Sequence, residues 1–453
     1  MRASTIAERE ARGRAAREHS KRSSHRTVGE LHRNPIELLK QSSEGRVEKL
    51  VPLRYGRMSV SPFTFFRGTA IIQAHDLSRV PDTGLSMPIC GDGHLMNFGG
   101  FATPERQLVF DLNDFDEVAM GPFEWDLKRL TASLVVAARH MRLSRGTAEH
   151  LVMTAATDYR DRMAQYAQCG ALELWYDRIT FDLMAETALT PERRRVVRRG
   201  MEKAAGRTHE SLLEKMAEFD GNRWSIRDAP PGLFHVHGVN TLFSADDDWF
   251  TTANWSKLIE RTWSEYLKTL SHDRRELLSH FTAQDLVFKV VGVGSVGRQA
   301  YVVLCEGNGP GDPLVLQVKE AQASVLEPHL GPSGLRSAGE RVVVGQRRMQ
   351  AGSDLFLGWT QVPGMGSFYV RQLRDMKGGL DVEKMERCVF LDYAQACGTT
   401  LARAHARTGD AAAIAGYLGS GPHFEHAVAE FACTYADQVE EDAARFVESR
   451  RLH

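Results

Sequence analysis

Residues 87–130 read MPICGDGHLMNFGGFATPERQLVFDLNDFDEVAMGPFEWDLKRL. The stretch parses as a tight loop, a short strand pair, an acidic turn and the start of a helix. Gly99-Gly100 and Thr103-Pro104 mark turns, and QLVFDL alternates as a strand does. Inside the loop Gly91–Asn97, an aspartate and an asparagine stand five apart, Asp92 and Asn97. Phosphoryl transfer needs an acceptor-only carboxylate to take or orient a hydroxyl proton, with oxygen ligands for Mg²⁺ close by. That pairing assigns Asp92 as base and Asn97 as a neutral metal ligand.

The acidic turn follows as Asp111-Leu-Asn-Asp114-Phe115-Asp116-Glu117. Such a density of carboxylates is costly unless a cation neutralises it or water screens it. Asp114 and Asp111 are both candidates for a second metal ligand, and the plain alternative is a solvated acidic turn. Asp126 opens the next helix and is expected to cap or pin the loop. His94 is placed to orient Asp92 or to line a pocket. No second histidine stands at ligand spacing, so a zinc site is not indicated.

Further along, the texture changes at about residue 285, where DLVFKVVGVGSVGRQAYVVLCEGNGPGDPLVLQVKEA is β-branched and punctuated by glycine. The G-x-G-x-x-G run is Gly292, Gly294 and Gly297, with Ser295 between them. A dinucleotide turn would need a helix immediately after the glycines. Here RQAYVVLCE follows, which is strand-like, so the run reads as a hairpin loop whose backbone N–H groups cover phosphates. A purely structural hairpin is the bland alternative. Lys319 lies on the next strand, placed to grip nucleotide phosphates, and Glu340, 21 residues on at the start of a helical segment, is the candidate partner for it. A strand-edge lysine and an ordinary first-turn acid are the competing readings.

Composition sets the frame. The chain has 453 residues, too many for one ordinary domain. A formal net charge of -1 gives no global electrostatic case for a nucleic-acid or membrane partner. Six scattered cysteines form no C-x-x-C pair and fit a reducing cytoplasm. No apolar run reaches bilayer length. The arginine-rich start, residues 1–45, is expected to be a poorly ordered basic arm, or a frayed helix, followed by a short helix at PIELLKQ. Ser61-Pro62 predicts a helix over about 62–78. Residues from Trp125 to about 270 are mostly helical in pattern, with a loop or crossover at 221–243. The segment Arg54-Tyr-Gly-Arg57…Arg67-Gly68 carries arginines suited to phosphate or to an acidic substrate, and equally to pairing with helix ends or the acidic turn.

These residues resemble the aminoglycoside phosphotransferase and choline kinase branch of the protein-kinase-like superfamily. That branch carries H-G-D-x-H-x-x-N, then I-D-F, then G-x-x-x-x-D-L. Here Cys90 stands at the first histidine, Asp92 and Asn97 keep the spacing, and Asp114-Phe115 with Asp126-Leu127 follow. More closely, the chain after the arm resembles the bacterial family labelled domain of unknown function 2252. The segments that carry this likeness are LVPLRYGRMSVSPFTFFRG, GDGHLMNFG, FDLNDFDE, WDLKRL, KVVGVGSVG, LQVKEA and LARAHARTGD.

In kinases the glycine loop and lysine precede the catalytic loop, and here they follow it. LARAHARTGD looks like the helix that normally leads into the catalytic loop, which a circular permutation would explain; the helix near 62–78 is the rival, and would make the small lobe an insertion. The resemblance therefore implies an α+β, two-lobed, kinase-like fold with circularly permuted order and extra helices. The implied division is a large-lobe part at 46–284, a small lobe at 285–375 and completing helices at 376–453. It also implies ATP and Mg as cofactors and transfer to a hydroxyl of a small molecule or protein in the cytoplasm. A non-catalytic nucleotide-binding scaffold, nucleotidyl transfer on the same fold and a metal-dependent hydrolase are the alternatives.

Overall fold

The computed structural model describes residues 4–29, 31–186, 190–221, 223–237, 239–243, 255–362, 364, 366–373 and 382–451. It is a mixed α+β structure with open sheets. Among the described residues, no helix is long and apolar enough to cross a membrane.

One body is built on a six-stranded antiparallel sheet. Its strands run in the order Gly358–Val362, Gly366–Gln372, Pro313–Ala321, Ala300–Glu306, Thr282–Lys289, Leu233–Phe234. The hairpin expected around GNGPGDP is present, with Pro313 opposite Glu306 and Lys319 opposite Ala300. On its other side Lys319 stands opposite Tyr369. The helix Ala338–Met349 follows the lysine strand and is capped by Ser337, whose hydroxyl accepts from the Glu340 N–H.

This body begins well before the expected boundary at 285. Leu212, Leu213, Ala217 and Ile226 bury against Val287, Val302, Leu304 and Val315 on one face of the sheet. Tyr266 and Leu270 bury against Val303, Leu314, Leu316 and Val370 on the other. Helical texture alone does not reveal which body an amphipathic helix covers. The segment expected as a loop at 221–243 supplies the edge strand Leu233–Phe234 and a short strand, Trp224–Ile226, paired with Ala217–Phe219. The boundary expected at 375–376 lies outside the described residues.

The other body is helical around Phe123–His140, which is buried along nearly its whole length. Helices Arg145–Tyr166, Arg387–Thr408 and His423–Arg451 surround it. The helix expected over 62–78 is two, Pro62–Phe66 and Ala70–Leu77. Ser61 caps the first as expected, and the break falls at Arg67–Thr69.

The amino-terminal segment is a correction to the expected arm. Residues Ile6–His19 form a helix whose Thr5 and Glu8 make a full capping box. It lies against Ala411–Leu418 at backbone contact distance. A Cβ on Gly13 would stand 1.8 Å from the Ala413 carbonyl oxygen, and one on Gly416 would stand 2.2 Å from that of Glu10. Arg9 and Arg12 pair with Asp410, and Arg17 donates to the carbonyls of Tyr417 and Gly416. The arginines that suggest disorder are spent on a neighbouring helix end.

Candidate functional site

The loop at 90–97 is fixed from below by one carboxylate. Asp126, in the first turn of Phe123–His140, accepts the N–H groups of Cys90 at 2.7 Å and Gly91 at 2.8 Å. Its Oδ2 also meets His405 Nε2 at 3.1 Å, and His405 Nδ1 meets the Tyr159 hydroxyl at 2.8 Å. The expectation that Asp126 pins the loop is therefore met by geometry.

Gly91 has φ +80°, and a Cβ there would stand 2.1 Å from the Glu117 carbonyl oxygen. The loop thus packs backbone to backbone on the acidic turn. A side chain at this position meets both a left-handed φ and a rigid neighbour. Gly91→Ala is expected to destabilise the protein by about 3 kcal/mol, read as a fall in the urea midpoint. An unchanged midpoint would contradict this packing.

Asp92 Oδ1 accepts from Arg129 Nε at 2.8 Å. Arg129 is itself held by Gln73 Oε1 and the Phe66 carbonyl. Burial raises the Asp92 carboxyl above its ordinary pKa even though Arg129 pulls the other way. Asn97 donates through Nδ2 to the Asp92 carbonyl at 2.7 Å, which leaves its Oδ1 as an acceptor. His94 is buried beside them, its Nε2 3.8 Å from Asp92 Oδ2. Burial, helped by Arg129 and Arg67, holds its imidazole well below the usual range, so it is neutral at pH 7.

The carboxylates of the turn divide sharply. Asp111 is fully buried and paired with Arg403 at 2.5 Å, and it accepts the Ala351 N–H at 2.7 Å. It does not line the cavity described below. Asp114 does line the cavity, and burial together with neighbouring Asp116 raises its pKa. Asp116 pairs with Lys319 and accepts from the Tyr369 hydroxyl at 2.8 Å. Burial pushes the Asp116 carboxyl up, but Lys319 and Tyr369 outweigh it and hold it below the ordinary value.

Lys319 is buried, with Asp116 in contact and Asp114 Oδ2 at 4.0 Å. Glu340 is not its partner. The Glu340 carboxylate turns back to accept the Arg336 N–H at 2.8 Å, completing the helix cap. The next residue, Arg341, points inward and donates to the carbonyls of Val118, Asp116 and Gln322.

The glycine loop is tied down by arginines from an earlier segment. Arg57 donates to the Gly292 carbonyl at 2.6 Å and Arg46 to that of Val296 at 2.7 Å. Gly292, Gly294 and Ser295 line one cavity with Asp92, His94, Asn97 and Asp114. Gly297 lies behind it, against the stem of Arg46. Two loops far apart in sequence thus line a single cavity.

A family model described as "Uncharacterized protein conserved in bacteria (DUF2252)" matches residues 46–449. The chain belongs to this family. The DUF2252 match spans both loops and ends short of the amino-terminal helix. No curated protein matches the chain. No solved structure matches it.

Among the described residues, no three His, Cys, Asp or Glu side chains form a ready-made metal cage. That is compatible with Mg²⁺, which binds through one or two carboxylates plus substrate phosphates. Asp114, with its incompletely neutralised carboxylate, and Asn97, with its unused Oδ1, provide such a pair on the cavity wall. Sequence reading passed over Arg129, although it stands three residues after Asp126 on one helix face. It also passed over Tyr369, Arg46 and Arg298, which carry no motif signal.

Proposed function

We propose that this DUF2252 chain is an ATP·Mg²⁺-dependent phosphotransferase with a kinase-like, circularly permuted arrangement, acting on a hydroxyl group. The observation that carries this reading is the convergence of Gly292–Ser295, Asp92, Asn97 and Asp114 on one cavity. A second observation favours permutation over insertion. Helix Arg387–Thr408, which contains the LARAHART of LARAHARTGD, lies directly under the loop. Its Tyr393 hydroxyl donates to the Leu95 carbonyl at 2.6 Å, and its His405 meets Asp126. The rival helix near 62–78 is broken.

The roles follow from the geometry. Asp92 takes the proton of the acceptor hydroxyl, and Arg129 orients it. A carboxyl raised by burial is a better proton acceptor than a surface aspartate. Asn97 and Asp114 would hold Mg²⁺, which when bound neutralises charge on the transferring phosphoryl group. Lys319 grips the nucleotide phosphates by exchanging its contact with Asp116 for them. Burial pushes the Lys319 ammonium toward neutrality, but Asp114 and Asp116 keep it charged.

ATP with Mg²⁺ is expected to raise the melting temperature. Saturation to a hundred times the dissociation constant is equivalent to about 2.7 kcal/mol. A hydrolase using only the acidic turn predicts no nucleotide-dependent shift, and a flat response of the wild-type protein would sink the proposal.

A further inference from the structure

Four arginines line the same cavity, Arg46, Arg54, Arg67 and Arg298. They come from the segment at 46–67 and from the residue after the glycine loop. The kinase-like reading gives none of them a task. Arg46 and Arg54 donate only to neutral oxygens. Arg54 is 1% exposed and donates to the hydroxyls of Ser43 and Ser42 and to the Gly68 carbonyl. Arg46 donates to the carbonyls of Ser42 and Val296. Arg54 Nε, Arg67 Nε and Arg298 Nη1 are buried without a hydrogen-bond partner among the described residues. Among the described residues, no carboxylate lies within the 4.0 Å ion-pair distance of any of the four guanidinium groups.

Several other buried arginines of this chain carry carboxylates, as Arg33 does with Asp76 and Asp442, Arg129 with Asp92 and Arg403 with Asp111. Glu117 and Glu320 also line the cavity, but each is engaged elsewhere. Glu117 accepts from the Val325 N–H and Ser324, and Glu320 from the Gln299 N–H and Gln322. Burying guanidinium groups without an anion is costly. The strain shows in their acidity, since burial depresses Arg46 to about 8 and Arg54 to about 10. Repulsion among Arg46, Arg54 and Arg298 adds to the effect of burial, and Glu117 and Glu320 only partly offset it at Arg46.

We propose that Arg46, Arg54, Arg67 and Arg298 form an oxyanion site that takes a phosphate or carboxylate group of the acceptor, which is therefore a small anionic hydroxy compound. The assignment to the acceptor rests on the phosphotransferase reading; the anion site itself does not. Asp92 lies close enough to Arg67 to act on its charge, so an anion held there brings its own hydroxyl to the base. Gly292–Ser295, Lys319 and the Asn97–Asp114 pair are the groups left for the nucleotide. Planar guanidinium donors suit phosphate and carboxylate oxygens, which accept two parallel bonds.

The test is calorimetric titration with inorganic phosphate. It uses wild type, Arg67→Gln and Arg298→Gln, each first shown to unfold cooperatively, with and without saturating AMP-PNP·Mg²⁺. Phosphate is expected to bind wild type, to bind each variant at least tenfold more weakly, and to bind equally well in the presence of AMP-PNP·Mg²⁺. No phosphate binding by wild type, or equal binding by the variants, would overturn the site. Loss of phosphate binding on adding AMP-PNP·Mg²⁺ would overturn the acceptor assignment and give the arginines to the nucleotide. Should either variant not fold, the competition on wild type decides the assignment. Failure of AMP-PNP·Mg²⁺ to bind would remove the phosphotransferase reading, while arginine-dependent phosphate binding would still uphold the anion site.

Discussion

Asp92→Asn is expected to retain ATP·Mg²⁺ binding and to lose turnover by roughly 10²–10⁴-fold, the range that a positioned general base supplies. Turnover is read as slow ATP hydrolysis or autophosphorylation. The substitution is nearly isosteric, and the amide oxygen can still accept from Arg129 Nε as the carboxylate does at 2.8 Å. What disappears is the capacity to hold a proton. The pH dependence has a definite sign. The base must be deprotonated, so wild-type activity falls as pH drops through the Asp92 pKa. Burial has raised that value, so the acid limb lies above the ordinary aspartate value of about 3.9. Equal turnover by wild type and Asp92→Asn would remove Asp92 from the mechanism.

The second large effect is on stability. Arg403→Leu is expected to lower unfolding free energy by about 3–5 kcal/mol, the usual consequence of stranding one member of a buried ion pair. Arg403 and Asp111 are both fully buried, and Arg403 also donates to the Met349 carbonyl. The pair ties helix Arg387–Thr408 to the strand that leads into the acidic turn. Without it, Asp111 keeps the N–H groups of Leu112 and Ala351 but no counter-charge. The double variant Arg403→Leu/Asp111→Leu is expected to recover much of the loss, because replacing both charges removes the desolvation penalty. Chemical denaturation of the three proteins checks this. A double variant no more stable than Arg403→Leu would show that the pair's partners, and not the stranded charge, dominate.

The site was legible where chemistry fixes spacing. Asp92 with Asn97, and Asp126 behind them, are local patterns whose hydrogen bonds span few residues or one helix start. The glycine run gained its meaning from the strand after it, and the structure places that hairpin as expected. Burial and pairing were not legible. Asp111 and Asp114 sit on the same short turn, yet one faces Arg403 from the far end of the chain and the other faces the cavity. Nothing in their spacing separates a buried strand residue from its half-buried neighbour.

Glu340 failed for a related reason. A first-turn acid after Ser337 satisfies a helix cap as readily as it would pair a lysine, and the cap is closer. The amino-terminal helix was hidden by its polar composition. Its docking depends on Gly13 together with Gly416 and Asp410 from beyond residue 400, which no local pattern joins. The boundary near 285 misled because amphipathic helices from about 209 onward serve the sheet and not the helical body.

On the proposed function, two loops distant in sequence share one nucleotide. Hydrogen exchange of the wild-type backbone during an ATP·Mg²⁺ titration tests it most directly. The account predicts that amides of residues 91–97 and of residues 292–297 gain protection together, at a single midpoint that requires Mg²⁺. Protection of one segment alone, or of neither, would contradict it.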